Sequence, residues 1–444
     1  VPGKVVLSGY FGGRNFGDEA MLEYLVQMLR LHGVDDICAL SLSPEETRQK
    51  HRVSSASQHS IRQKVMALKG ASLLVFGGGE LVKSYWPDGG RVVGRALVDV
   101  VLATAMGVPV VVLGVGAEEL PNPVGRKWAR NILSLAQAVW ARDSTSLQRL
   151  AAVGIPQGRL KQGADLLFGV DHVGNKGQRS GESGETIRVG LSLPDAELRQ
   201  ALVDAPDRYR SFFQHLSQGM QEFLPSAKGN LVLLGFESNE LADDLDLLHQ
   251  LASSSQLSSQ VESVRLAEES IQSALGVFKE LDFLVGMRFH SVVFSALAGV
   301  PFLALSLEDK VKKLAADLDV LDWCFDVATE PPEALPERLR RAWDTRADLL
   351  ERLETGRERL HQAALSGEQD LIATLTRQPR VSLRSRVQSV RLLAPLALQA
   401  ALRRVSGQRP PSRPWATLRW ASTCDSKTLL PQGGTHSPVS LVQR

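Results

Sequence analysis

Phe283-Leu284-Val285-Gly286-Met287-Arg288-Phe289-His290-Ser291, continuing through Val292 to Gly299 and on to Val300-Pro301-Phe302-Leu303-Ala304-Leu305, reads as one β-α-β unit. Phe283 to Val285 predicts a short buried strand. Ser291 to Ala298 predicts a small-residue helix closed by Gly299, and Val300 to Leu305 the next strand. Arg288 and His290 then stand at a strand-to-helix turn, on the carboxyl edge where open α/β sheets bind ligands. A permanent cation, an imidazole and the free N–H groups of a helix start make an anion site with an acid/base beside it.

Outward from this unit the same rhythm recurs. Lys4–Ser8, Asp36–Leu40, Ser72–Phe76, Val108–Gly114 and Ala138–Ala141 read as strands separated by helical segments. After a polar, Gly-rich stretch from Asp171 to Thr186 the pattern restarts with Arg188–Leu193, Asn230–Phe236 and Val261–Leu266. Val- and Leu-rich strands alternating with helices imply mostly parallel sheets covered on both faces. The predicted division is residues 1–170 as one Rossmann-like domain, 171–186 as a linker and 187–377 as a second Rossmann-like domain with terminal helices. Two such halves place the site in the cleft between them. Glu330 to Thr374 reads as helical and charge-laced, packing back across both.

Composition excludes several classes. Hydrophobic content of 43% and charged content of 23% are ordinary for a globular protein. The net charge of +2 hides a division: Arg380 to Arg444 holds eleven Lys/Arg and one acidic residue, Asp425. The body is therefore mildly acidic, and nucleic-acid binding by it is not expected. Residues 378–444 read as a basic, largely disordered tail. Within it Arg386–Val405 could form an amphipathic helix, interrupted by Pro395, that touches an anionic membrane surface.

Cys38, Cys324 and Cys424 are far apart and predict a reducing, cytoplasmic setting. No signal peptide and no membrane span are expected, and a start on Val1 suggests a trimmed chain. Asp244-Leu245-Asp246 and Asp317-Leu318-Asp319 copy a metal-binding spacing but fall on predicted helices, where solvated faces explain them. No metal is predicted.

Gly9-Tyr10-Phe11-Gly12-Gly13-Arg14-Asn15-Phe16-Gly17-Asp18-Glu19 follows the first strand and opens the first helix. It meets neither a dinucleotide fingerprint nor a P-loop, since Asp18-Glu19 stand where Lys and Ser/Thr would be needed. Either Asp18 caps the helix in a tight turn, or Asn15 and Asp18 hydrogen-bond a polyhydroxylated ligand. Of the nine His, only His290 sits at such a turn beside an Arg, so the rest default to the surface.

Asn15 to Ala20 resembles the Gly-Asn-x-Gly-Asp-Glu start of the polysaccharide pyruvyl transferases, with Arg14 before Asn15. Phe76-Gly77-Gly78-Gly79-Glu80-Leu81 is similar to their second Gly-rich turn. Glu80 departs from the usual Ser, with Lys83 and Ser84 as substitutes. Arg142-Asp143-Ser144-Thr145-Ser146, then Ala164-Asp165, resembles a further segment. Gly286-Met287-Arg288-Phe289-His290 matches their Gly-Met-Arg-x-His signature, and Ser306 to Val311 resembles the family segment beyond that signature. The matches run in order from about residue 4 to 325, and are most similar to the bacterial cell-wall branch.

The resemblance implies transfer of a pyruvyl ketal from phosphoenolpyruvate to two hydroxyls of a sugar in a cell-wall or surface polysaccharide. It implies a GT-B-like pair of domains, the second on the donor side, and no cofactor beyond the donor substrate. The acceptor glycan would be met in the cytoplasm or, lipid-linked, at the inner membrane face. A compact trianion calls for Arg forks and helix starts. The residues implied are Arg288 and His290 as catalytic, with Arg142, Asn15, Asp18, Gly78, Gly79 and Lys310 binding substrate. Lys310 would assist the leaving phosphate, and Asp309 would orient a neighbour. Asp143 reads as a helix cap. The rivals are a nucleotide-sugar glycosyltransferase of the same fold and a non-catalytic glycan-binding protein. A dehydrogenase ranks below both, because the fingerprint is missing.

Overall fold

The computed structural model describes residues 3–83, 97–170, 186–239, 242–254 and 261–393. The expected linker, apart from Thr186, lies outside the described residues, as do Ser84 and the tail from 394 on.

Seven strands form the first sheet: β1 (Val5–Phe11), β2 (Ile37–Ser41), β3 (Ser54–Ser57), β4 (Leu73–Gly77), β5 (Val110–Val115), β6 (Ala138–Ala141) and β7 (Leu160–Gln162). They pair in the order β3-β2-β1-β4-β5-β6-β7, every neighbour parallel. β5 shows why: Val110-Val111-Val112-Leu113-Gly114-Val115 is buried at each residue, as a strand covered on both faces must be.

The second sheet contains β8 (Ile187–Ser192), β9 (Gly229–Gly235), β12 (Val261–Arg265), β13 (Phe283–Gly286), β14 (Phe302–Ser306) and β15 (Cys324–Asp326). Its order is β12-β9-β8-β13-β14-β15, again all parallel. Two-residue strands β10 (Ser238–Asn239) and β11 (Ala242–Asp243) form a small hairpin after β9. In each sheet the connection order reverses at one point, between β1 and β4 and between β8 and β13. Ligands of such sheets bind outside the carboxyl ends of these strands.

One apolar core runs from a face of the first sheet into the second half. Phe16 bridges the two, its ring 5.7 Å from Phe236 and 5.0 Å from Phe294. A second cluster fills the other face of the first sheet, beneath helices Ile61–Leu68, Leu97–Ala105 and Pro123–Leu133. Helix Arg346–Arg377, of 32 residues, returns from the second half to the first. There Glu368 accepts from the Tyr24 hydroxyl at 2.7 Å, and Asp370 accepts from Trp140 Nε1 at 3.0 Å and from Lys161 at 2.9 Å. Gly356 permits the crossing, because a Cβ there would lie 2.2 Å from the Leu318 carbonyl oxygen. The two halves thus share a continuous apolar core and are bridged by the return of this helix. No described helix is long and apolar enough to cross a membrane.

Candidate active site

Both switch points carry the segments singled out in the sequence. After β1 the chain turns through Gly12, at φ 76°, whose N–H donates to Glu19 Oε1 at 2.7 Å. A Cβ on Gly12 would meet Ser41 Oγ at 2.1 Å. Glu19 Oε2 lies 2.9 Å from His51 Nε2 in a buried pair, so Glu19 ties the loop down. His51 is thus not the surface residue expected of it. Asn15, rather than Asp18, caps helix Phe16–Leu31, its Oδ1 accepting from Gly17 N at 3.1 Å. The loop also joins the second half: Phe16 N donates to the Phe236 carbonyl at 2.8 Å, and Ser238 N to that of Arg14 at 3.2 Å.

Arg288 stands just before helix Phe289–Ala298, buried among carboxylates. Its Nε donates to Asp244 Oδ2 at 3.0 Å. One terminal nitrogen donates to Asp244 Oδ1 at 2.6 Å and to Glu237 at 2.7 Å, the other to Glu197 at 3.3 Å. A guanidinium has five N–H donors, so at most one remains for a ligand. Asp244 is fully buried and also accepts from the backbone of Asp195, Phe236 and Glu237. The solvated face expected for Asp244 is therefore wrong: the fold needs an anion there to hold Arg288. Burial opposes the charge on Arg288, but Asp244, Glu197 and Glu237 hold it ionised. The cation expected to hold an anionic ligand here is held by the protein's own carboxylates.

His290 crosses to the first half. Its ring lies against Gly17 so closely that a Cβ there would fall 1.8 Å from Nδ1. Its Nε2 is 3.7 Å from Asp165 Oδ2, too long for a hydrogen bond, and neither atom has a hydrogen-bond partner. Asp165 follows β7 and caps the short 3₁₀ turn Leu166–Gly169 through Leu167 N. Burial pushes its carboxyl up, but His290 and Arg142 outweigh this and hold it below the usual range.

Arg142, at the end of β6, has its guanidinium 4.4 Å from the centre of the Phe289 ring. That ring belongs to the residue between Arg288 and His290. Arg142 Nε donates to Asp143 at 3.4 Å, and the nearest other acid is Glu80 at 3.9 Å. Among the described residues its terminal nitrogens make no hydrogen bond, so this fork is the one open to an anion. Asp143 caps helix Ser144–Val153, as expected, accepting from Ser146 N at 2.6 Å.

Gly78 and Gly79, at φ 78° and 84°, bring backbone up to Asp18: a Cβ on Gly79 would lie 3.1 Å from Asp18 Oδ1. Burial, then the charges of Glu19, Glu237 and Asp165, push Asp18 up to about 8 against the pull of Lys310. Its carboxyl therefore favours the protonated form near neutral pH. Lys310 pairs with Glu308. Burial opposes its charge, but Glu308, Glu197 and Glu80 hold its ammonium above the usual range. Asp309 points elsewhere, to Arg149 at 3.6 Å.

The raised Asp18 carboxyl has a measurable consequence. The unfolded chain ionises it near the ordinary value of 3.8, the folded chain near 8. Its contribution to stability is complete below the first value and is lost as pH rises to the second. Melting midpoints between pH 5 and 9 should fall by a few degrees more for the wild type than for Asp18→Asn. Parallel pH curves would rule out the shift.

Asp18, Gly79, Arg142, Phe289, His290 and Lys310 thus gather about the two switch points, while Asn15 serves as a cap and Arg288 as a clamp. Among the acids of the site, the sequence points to Asp165 only through the Ala164-Asp165 match, without a role, and to Glu197 and Glu237 not at all. The structure adds its place after β7, on the same edge as Arg142.

A family model described as polysaccharide pyruvyl transferase matches residues 15–309. No curated protein matches the chain. Among solved structures the chain is similar to Anabaena HepE in complex with UDP and glucose, with 13% identity and a TM-score of 0.53 over 84% of this chain and 99% of that one. It is similar to a Rickettsia africae glycosyltransferase, with 10% identity and a TM-score of 0.52 over 84% and 98%. A putative UDP-N-acetylglucosamine 2-epimerase from Listeria monocytogenes gives 11% and 0.50 over 84% and 95%. At such identities the likeness shows a shared GT-B-like fold.

Proposed function

The chain belongs to the polysaccharide pyruvyl transferase family, and from this premise we propose that it transfers a pyruvyl ketal from phosphoenolpyruvate to two hydroxyls of one sugar in a cell-wall or surface polysaccharide. The observation that carries the proposal is His290, which reaches from the second half onto Gly17 and faces Asp165 with no hydrogen-bond partner on its Nε2.

The reaction protonates the methylene carbon of the donor, which leaves positive charge on the adjoining carbon. One sugar hydroxyl adds there, and the C–O bond to phosphate breaks. The second hydroxyl then closes the ketal. Of the two hydroxyl protons, one replaces that given to the methylene group and the other leaves with inorganic phosphate.

His290 is the group that moves the proton, and ionised Asp165 balances the ring while it is charged. Arg142 offers its open fork to the donor carboxylate or phosphate, and Lys310 neutralises the departing phosphate. Asp18, which favours the protonated form near neutral pH, donates a hydrogen bond where an ionised carboxylate would repel the trianion. Arg288 and its three carboxylates hold the turn that presents His290. This assignment needs no cofactor beyond the donor substrate.

The setting we propose is the cytoplasm, consistent with free, buried Cys38 and Cys324, with a lipid-linked acceptor presented at the inner membrane face. Incubation with phosphoenolpyruvate and surface-polymer precursors should release phosphate only when glycan is present. The glycan gains the mass of pyruvic acid less one water. A thermal shift with UDP- or GDP-sugars and none with phosphoenolpyruvate would replace this reading with a nucleotide-sugar transferase.

A further inference from the structure

Residues 383–393 form a helix laid against the first half, on the layer that covers the second apolar cluster. Leu392 and Leu393 pack into that cluster, and Ser389 is fully buried. Arg386 Nε donates to the Ala105 carbonyl at 3.4 Å, and Gln388 Nε2 to that of Asn131 at 3.5 Å. These anchors belong to the last turns of helices Leu97–Ala105 and Pro123–Leu133. The preceding helices of parallel units end at the amino edge of the sheet, so the contact is remote from the cleft.

The outward face of this helix is apolar. Leu383, Val387 and Val390, spaced i, i+4 and i+7, are 76%, 43% and 57% exposed. At 100° per residue they form one stripe, with Arg384 and Arg391 along one border and Arg386 along the other. All three arginines are exposed. From Arg377 to Leu393 the sequence holds five Arg and no acidic residue, and the remainder to Arg444 adds seven Lys/Arg against Asp425. Helix Ile61–Leu68 lies on the same layer, with Ile61 54% and Met66 61% exposed beside exposed Arg62 and Lys69.

We propose that the Leu383–Val390 face is a docking surface for an anionic lipid bilayer, with the apolar stripe entering the headgroup region and the flanking arginines engaging acidic headgroups. An apolar stripe bordered by cations, in a stretch free of acids, is matched to negative lipid and mismatched to neutral lipid. A second copy of the chain would bring five like charges against five, which disfavours a dimer through this face. Docking at the amino edge of the sheet leaves the cleft open to substrate.

The inference deepens the membrane-side setting proposed above and rests on it, but it is read without substrate, so vesicle binding and pyruvyl transfer can fail separately. The full chain should co-sediment with phosphatidylcholine vesicles that contain phosphatidylglycerol, and not with phosphatidylcholine alone. Leu383→Ser with Val387→Ser and Val390→Ser should abolish sedimentation. Arg384→Gln with Arg391→Gln should weaken it about thirtyfold, each arginine near a bilayer contributing about fivefold. Raised salt should weaken the wild type in the same sense. Neither set touches the cleft, so phosphate release in solution should stay at the wild-type level in both. Absence of vesicle binding would overturn the proposal, as would binding unaltered by the serine substitutions. A concentration-dependent dimer that these substitutions dissolve would also overturn it.

Discussion

His290→Ala is expected to lower glycan-dependent phosphate release by about 10²–10⁴-fold, with the melting midpoint unchanged to within a few degrees. The two effects separate because the ring makes no hydrogen bond through Nε2. Its removal leaves Asp165 without the imidazole facing it, but Leu167 N still donates to Asp165 Oδ1. A companion variant tests the pairing. Asp165→Asn keeps the shape of the turn and removes the charge that balances the ring during proton transfer. Once the ring carries its proton and the 3.7 Å gap closes to a charge-assisted hydrogen bond, that bond is worth about 1.5–3 kcal/mol, or roughly ten- to a hundredfold. The loss should fall on kcat, with KM for phosphoenolpyruvate little altered, since Asp165 acts through His290 rather than on the donor. Asp165→Asn that raises KM alone would move Asp165 into the donor pocket. Undiminished turnover in His290→Ala would remove the imidazole from the chemistry altogether.

Gly17 offers a second route to the same ring. A Cβ at Gly17 would overlap the imidazole at Nδ1, Cε1 and Cγ, so the glycine of the first motif exists for the histidine of the last. That relation joins positions 273 residues apart and is invisible to any pattern read along the chain. The sequence suggested a Gly-rich turn and an Arg-His turn separately. What brings them together is the Phe16–Phe236–Phe294 contact and the backbone bonds from Phe16 and Ser238.

Legibility followed burial. Strands such as β5 and β13 are apolar throughout because both faces are covered, and they stood out in the sequence. β3, Ser54–Ser57, is a polar edge strand of four residues, and helix Pro44–His51 is almost wholly charged or polar. Neither carries a hydrophobic period that would mark it along the chain. The helix predicted about Asp244 begins at that residue, after the β10–β11 hairpin. The reason is Asp244 itself, whose carboxylate collects three backbone N–H groups and Arg288. Charge pairing of this kind has no local signature. Glu197 and Glu237 therefore carry no signal along the chain, and Arg288 shows as an anion site until these carboxylates are placed beside it.

Arg288→Ala is expected to destabilise the chain by about 3–5 kcal/mol, measured as a fall in the unfolding midpoint without any substrate. Removal of the guanidinium leaves Asp244 fully buried with no counter-ion, and Glu237 and Glu197 facing it. Burial already raises Glu237, and the charges of Glu197 and Asp244 raise it further; Arg288 is the main opposing influence. Without Arg288 this carboxyl should take up a proton at a higher pH still, so the loss of stability should grow from mildly acidic to alkaline conditions. Arg288→Lys keeps one charge but cannot span three carboxylates in a plane, and should fall between the alanine variant and the wild type. Coupled replacement, Arg288→Met with Asp244→Leu, removes both members of the buried pair and should recover part of the lost stability. The opposite result is equally readable. If Arg288→Ala melts with the wild type and only KM for phosphoenolpyruvate rises, the guanidinium serves the donor directly, and the carboxylate clamp yields when substrate enters.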